Sequence, residues 1–201
     1  MPWWFWAVIA GIVVLAYVTA TAGRLDRLHG RVETARAILD SHLLRRSAVV
    51  LELAASGLLD PATSLLLATA AHRARTADDP DREAEESALS VALRAAFDEE
   101  GGEGDVLDTL ASDPSARPLI EELEAAATKI PLARRFHNDA VRATLAVRRH
   151  RLVRLLRLAR RPEPAFFEID DEPPAALLRF AERQRGIRDT GPSPGKSPTG
   201  R

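Results

Sequence analysis

Residues 1–56, MPWWFWAVIAGIVVLAYVTATAGRLDRLHGRVETARAILDSHLLRRSAVVLELAAS, decide the fold. No charged side chain precedes Arg24. About 20 apolar residues coiled as a helix cross a hydrocarbon layer of about 30 Å. Trp3, Trp4 and Trp6 stand at one end of the run. An indole has an apolar body and a hydrogen-bonding edge, which suits the membrane–water interface. Residues 1–23 therefore read as a transmembrane anchor. A cleaved signal peptide is the competing reading, since Ala20-Thr21-Ala22 matches an A-x-A site. That reading lacks a basic leading region, because aromatic side chains occupy its place. Arg24, Arg27, Arg31 and Arg36 follow the run. The positive-inside rule then puts the N-terminus outside and the remainder in the cytoplasm, at the cell membrane.

The apolar pattern continues beyond Gly23 at helical spacing, through Leu25, Leu28, Val32, Ala35, Leu39, His42, Val49 or Val50, and Leu53. The membrane helix is thus expected to run on, without a break, to about Ser56. Asp60-Pro61 and Asp79-Pro80 each pair a capping side chain with a Pro suited to a first helical turn. They open a second helix to about Arg75 and a third that buries Leu89, Leu93 and Phe97. Residues 99–105 read as a turn or loop, and Asp105 to Ala111 as a short helix stopped by Asp113-Pro114. A further helix starts near Pro118 and passes through Pro131 with a kink. Pro162 and Pro164 end it. A final amphipathic piece runs from Ala175 to Arg185 and stops at Gly186.

These elements give an all-α fold: an N-terminal transmembrane helix continuing into an antiparallel bundle of long helices. The expected organisation is an anchor over 1–23, a bundle over 24–172, a short amphipathic helix over 173–186 and a disordered tail over 187–201. The tail is rich in Pro, Gly and Ser and too poor in apolar side chains to fold. Ala- and Leu-rich composition with few aromatic residues supports helices throughout.

Charge is segregated along the chain, although the net charge is only −1. Acidic residues dominate from Asp78 to Glu124, and arginines dominate from Arg134 to Arg161. Helical blocks of opposite sign suit side-by-side packing, where exposed pairs select the partner more than they stabilise, at about 0–1 kcal/mol each. On a helical wheel the basic helix shows one apolar strip at Phe136, Ala140, Ala143 and Val147. A second strip comprises Val141, Leu145, Leu152, Leu156 and Ala159. Arg142, Arg149, Arg151, Arg154, Arg157 and Arg161 are the candidate interaction surface, for anionic lipid or for nucleic acid. Nucleic acid is the weaker of these partners, because a reading helix would keep one polar face free along its length. Unidentified protein partners and self-association both suit a bundle of this kind.

The stretch ATKIPLARRFHNDAV (127–141), the basic helix after it and RPEPAFFEIDDEP (161–173) together resemble the C-terminal signature of the LemA family. That signature reads roughly T-E-x-K-I-x-x-A-R-x-x-Y-N-x-A-V, followed by a helix ending near F-F-E. The arginine pair Arg45 and Arg46 in LLRRSAVV falls where the family has a similar pair. Arg134, Asn138 and Val141 occupy further signature positions, while His137 stands where the family has Tyr. The resemblance implies a single-pass membrane protein with a helical bundle and no established enzymatic chemistry.

The residues offer no catalytic set, metal set or cofactor site. With no Cys there is no disulfide and no thiolate ligand. The five histidines (His29, His42, His72, His137, His150) stand singly, without the Glu-x-x-His pairs of a di-metal bundle. His137, Asn138 and Asp139 do not face one another on a helix, so Asn138 reads as a hydrogen-bonding packing residue. Gly195-Lys196-Ser197 lacks the flanking strand and helix of a phosphate loop. Arg46 falls on the apolar strip, where an unpaired guanidinium is costly. It is expected to snorkel at the edge or, as the alternative, to pair with Glu121 or Glu122.

Overall fold

The computed structural model describes residues 2–98, 106–149 and 162–189. Among the described residues there are six helices and no strand. They are α1 (Trp3–Ala55), α2 (Pro61–Thr76), α3 (Asp79–Phe97), α4 (Val106–Ser112), α5 (Arg117–Arg148) and α6 (Ala175–Asp189).

The first helix runs through Gly23 without interruption, as the continuous periodicity predicts. It contains an 18-residue window long and apolar enough to cross a membrane, none of it buried within the protein. Trp3–Gly23 spans about 30 Å at 1.5 Å per residue, which matches a hydrocarbon layer. Within it, the Thr19 hydroxyl donates to the carbonyls of Leu15 and Ala16, so this polar group is satisfied by its own helix. After Arg24 the helix buries Leu25, Val32, Leu39, Leu43, Arg46, Val50 and Leu53, a sequence of sevens and then alternating fours and threes. Its end is built by Gly57, whose φ of 75° lies in the left-handed region that side chains with a Cβ avoid.

Asp60 caps α2 as its position before Pro61 requires, accepting from the amides of Ala62 and Thr63 at 2.9 and 3.1 Å. Asp78, rather than Asp79, precedes α3, and Pro80 sits within the first turn. Asp113 ends the α4 segment by turning back on Ser115, whose amide and hydroxyl both donate to its carboxylate. That pair of bonds holds the Asp113 carboxyl below the usual carboxylate range. The last helix reaches Asp189, three residues beyond the stop anticipated at Gly186.

The chain divides into two compact units. The first comprises Met1–Leu43 and Lys129–Glu168. Here α1 and the C-terminal part of α5 run antiparallel: Arg148 meets His29, and Asn138 holds Phe167, whose ring lies against Arg36. In this unit the buried stripe of α5 is Ile130, Ala133, His137, Val141, Thr144 and Val147. This corrects the wheel-based assignment in part, since Val141 and Val147 are buried as expected. Phe136 is 61% exposed and Ala143 is exposed, because the packing stripe lies to one side of them and accepts two polar residues. Thr144 is tolerated there because its hydroxyl donates to the Ala140 carbonyl one turn back.

The second unit comprises Leu44–Thr128 and Ile169–Arg201. Its core gathers Leu53 of α1, Leu67 of α2, Leu89 and Leu93 of α3, Leu107 of α4, Ile120 and Leu123 of α5, and Leu177 of α6. The second and third helices pack on each other, and α3 and α4 both touch α6. Asp98, at the end of α3, caps α6 from outside: its two carboxylate oxygens accept from the Ala175 and Ala176 amides at 3.0 Å. The helix has no acid of its own in its first turn, so the cap is supplied across 77 residues of chain.

Candidate functional site

Three groups of side chains carry the polar architecture: a buried ion pair, a clamp on the segment after α5, and the arginines of the basic helix.

Arg46 neither snorkels nor reaches Glu121 or Glu122. Its guanidinium is buried, with its side chain 4% and that of Glu86 2% exposed. One terminal nitrogen donates to Glu86 Oε2 at 2.8 Å and to the Glu86 carbonyl at 3.0 Å. The other donates to Ser90 Oγ at 2.8 Å. Glu86 and Ser90 are one turn apart on α3, so a single face presents acceptors to a planar fork. The edge reading fails because Arg46 lies in the middle of the stripe between Leu43 and Val50, with no short path to water. Its neighbour Arg45 is the one that pairs with Glu122, and it does so at the surface, 63% exposed.

The clamp is made by Asn138. Its amide nitrogen donates to the Phe167 carbonyl at 3.1 Å, and its oxygen accepts from the Phe167 amide at 2.9 Å. A side-chain amide reproduces in this way one rung of a β-ladder and holds an extended segment without a second strand. Phe167 is thereby buried, with the Arg36 guanidinium 4.2 Å above its ring, in a cation–π contact. His137, buried one residue earlier, places Nε2 3.3 Å from the Ala165 carbonyl. Burial pushes its imidazole below the ordinary histidine range, against the opposing influence of that carbonyl. His29 Nδ1 lies 2.9 Å from the Leu25 carbonyl, and its Nε2 lies 3.5 Å from Arg148 Nη1.

Beyond Glu168 the chain is tied to α3. Arg94 forms an ion pair with Asp170 and donates to the Glu172 carbonyl at 2.8 Å, while the Asp170 amide donates to Ser87 Oγ. The Arg94 guanidinium holds the Asp170 carboxyl below the usual carboxylate range. A shallow groove of about 380 Å³ is lined by Asp108, Ser112, Arg117, Phe180 and Arg183. Its charges are already matched, Arg183 to Asp108 and Arg117 to Glu121.

Of the arginines singled out from sequence, Arg142 pairs with Asp139 one turn back and Arg149 is exposed at the end of α5. Arg151, Arg154, Arg157 and Arg161 lie outside the described residues, as do Leu152, Leu156, Ala159 and His150. Among the signature positions, Val141 is fully buried, Arg134 is half-buried with an electrostatic partner, and Asn138 is the clamp just described. Among the described residues no three His, Asp or Glu side chains are grouped to hold a metal ion.

Sequence periodicity missed Glu86 and Ser90 as partners of Arg46, because partner identity depends on how α3 is rotated against α1. The only available signal was a charge inside an apolar stripe, which announces that some buried partner exists. No family model, curated protein or solved structure matches the chain.

Proposed function

We propose that this chain is a single-pass membrane protein whose helical region acts as a non-enzymatic interaction or scaffolding module of the LemA type. In this reading Trp3–Gly23 crosses the cell membrane with its N-terminus outside, and the helices after Arg24 lie in the cytoplasm. The observation that carries the proposal is the continuity of α1: a charge-free apolar helix, wholly unburied, runs without a break into helix packed against the rest of the chain. An uncovered apolar surface of this size is costly in water and favourable in lipid. The side chains described above support the scaffold half of the reading. Arg46, Asn138, Arg94 and Asp98 each satisfy a structural partner. Asn138, inside the stretch that resembles the LemA signature, holds Phe167 of the FFE segment in place.

Alkaline extraction of membranes from cells making the full chain tests the anchor, which must stay with the lipid pellet. Protease added to intact cells tests orientation: cleavage of the C-terminal residues would overturn a cytoplasmic location. In-cell cross-linking of the full chain, compared with a chain lacking residues 2–23, tests the scaffold role. A partner set independent of the anchor would contradict a module that works at the membrane.

A further inference from the structure

We infer that Arg24, Arg27 and Arg31 form a binding surface for the headgroups of anionic phospholipids in the bilayer holding the protein's own anchor. The inference rests on the membrane-spanning reading of Trp3–Gly23 and goes beyond it by assigning a lipid class to named side chains.

The argument begins with rotation. At about 100° per residue, Arg24, Arg27 and Arg31 fall within an arc of about 60° on α1. Asp26 and Glu33 fall roughly 140° away, on another side of the same helix. The acids near the arginines in sequence therefore do not share their face. All three arginines are exposed, and none pairs with an acid among the described residues. By contrast Arg36, one turn further on, is bridged to Asp40 and stacked on Phe167, so the free basic face ends where the packed unit begins.

Depth comes next. Side chains on a helix lean toward its N-terminus, which here is the membrane side. Arg27 does so: its Nη1 lies 3.7 Å from the position that a Cβ on Gly23 would occupy. Its guanidinium thus reaches the level of the last residue of the charge-free run. That is the depth of lipid phosphates.

The second helix does not cover this face. Because α5 is antiparallel to α1, its described C-terminus lies beside His29, about 9 Å along the axis from Gly23. Arg148 makes that contact and also donates to the Pro162 carbonyl, while the next residue, Arg149, is exposed. His29 lies about 170° around α1 from the arginine arc, so α5 covers the opposite side of the helix and leaves the arginine face open.

The test uses the full chain reconstituted in phosphatidylcholine vesicles containing a minority of phosphatidylglycerol, with spin-labelled versions of each lipid reporting which one contacts the protein. The native chain is expected to prefer phosphatidylglycerol, with the preference falling as salt is raised. Replacing all three residues (Arg24→Gln, Arg27→Gln, Arg31→Gln) should lower that preference at least fivefold, since each surface arginine contributes roughly fivefold. The corresponding triple Lys variant should keep it. An unchanged preference in the Gln variant, or an equal loss from Arg73→Gln with Arg75→Gln on α2, overturns the lipid assignment. If the native chain is stripped from the vesicles at alkaline pH, the membrane reading falls with it. If it stays and shows no lipid preference, only the present inference falls.

Discussion

Arg46 and Glu86 permit a sharp test of how the helical core is specified. Removing either partner leaves the other charge in a site where the side chains are 4% and 2% exposed. Breaking a buried pair from one side costs about 3–5 kcal/mol, because the remaining charge is neither solvated nor matched. Arg46→Met keeps the length and apolar stem of the side chain but deletes three hydrogen bonds, to Glu86 Oε2, the Glu86 carbonyl and Ser90 Oγ. Ser90 is not stranded by this change, since its hydroxyl also donates to the Glu86 carbonyl at 3.3 Å. The expected loss for Arg46→Met, and for Glu86→Leu, is therefore about 3–5 kcal/mol each, or a fall in midpoint of roughly 10 °C. The double variant should lie within about 1 kcal/mol of the native chain, or above it, because no charge remains to be desolvated. Urea unfolding of the full-length chain in detergent micelles, followed by far-ultraviolet circular dichroism, measures all four corners of the cycle. Two single losses below about 1 kcal/mol, or a double loss equal to their sum, would refute the reasoning.

Other outcomes follow from individual contacts. Asn138→Leu removes both bonds to Phe167 and should cost about 2 kcal/mol, with the Phe167 amide exchanging much faster in deuterium oxide. Asp98→Ala uncaps α6 and should cost about 1–2 kcal/mol, read as lost protection at Ala175 and Ala176 alone. Gly57→Ala meets no atom within 4 Å, so its expected cost of about 1 kcal/mol comes wholly from the left-handed backbone and should appear in a thermal melt. Asp170 is depressed by Arg94, so the stability it contributes is present above the unfolded carboxylate value of 3.8 and is lost as pH falls through its lower folded value. Asp170→Asn should accordingly flatten the acid limb of a stability–pH curve, and a curve parallel to the native one would contradict the assignment.

Much of the fold was legible because local signals agreed. Asp60-Pro61 marks a helix start whose capping geometry is then observed, and a heptad-like stripe from Leu25 to Leu53 announces one long helix. The errors arose where local pattern and tertiary packing part. On α5 the apolar residues Phe136 and Ala143 stay outside while His137 and Thr144 go inside. Hydrophobicity alone cannot show that Thr144 is satisfied by its own helix, or that His137 meets the Ala165 carbonyl 28 residues later. The cap on α6 was invisible for a related reason: the capping aspartate precedes the helix by 77 residues. The candidate basic surface was legible as composition but not as place. The antiparallel contact of Arg148 with His29 brings the end of α5 level with Arg24–Arg31, but on the opposite side of α1.

The unbroken course of α1 has a mechanical consequence. A 53-residue helix with no internal Pro behaves as a stiff rod over the distance from Trp3 to Leu43, with no Gly-Pro joint to absorb rotation. Torque or tilt imposed on its uncovered apolar half passes directly to the half packed against α5. Adding a single residue near Gly23 would turn everything beyond it by about 100° and advance it by about 1.5 Å. Under the proposed membrane-spanning reading, bilayer thickness, which sets the tilt of a spanning helix, becomes a control on the angle at which the protein's folded face is presented.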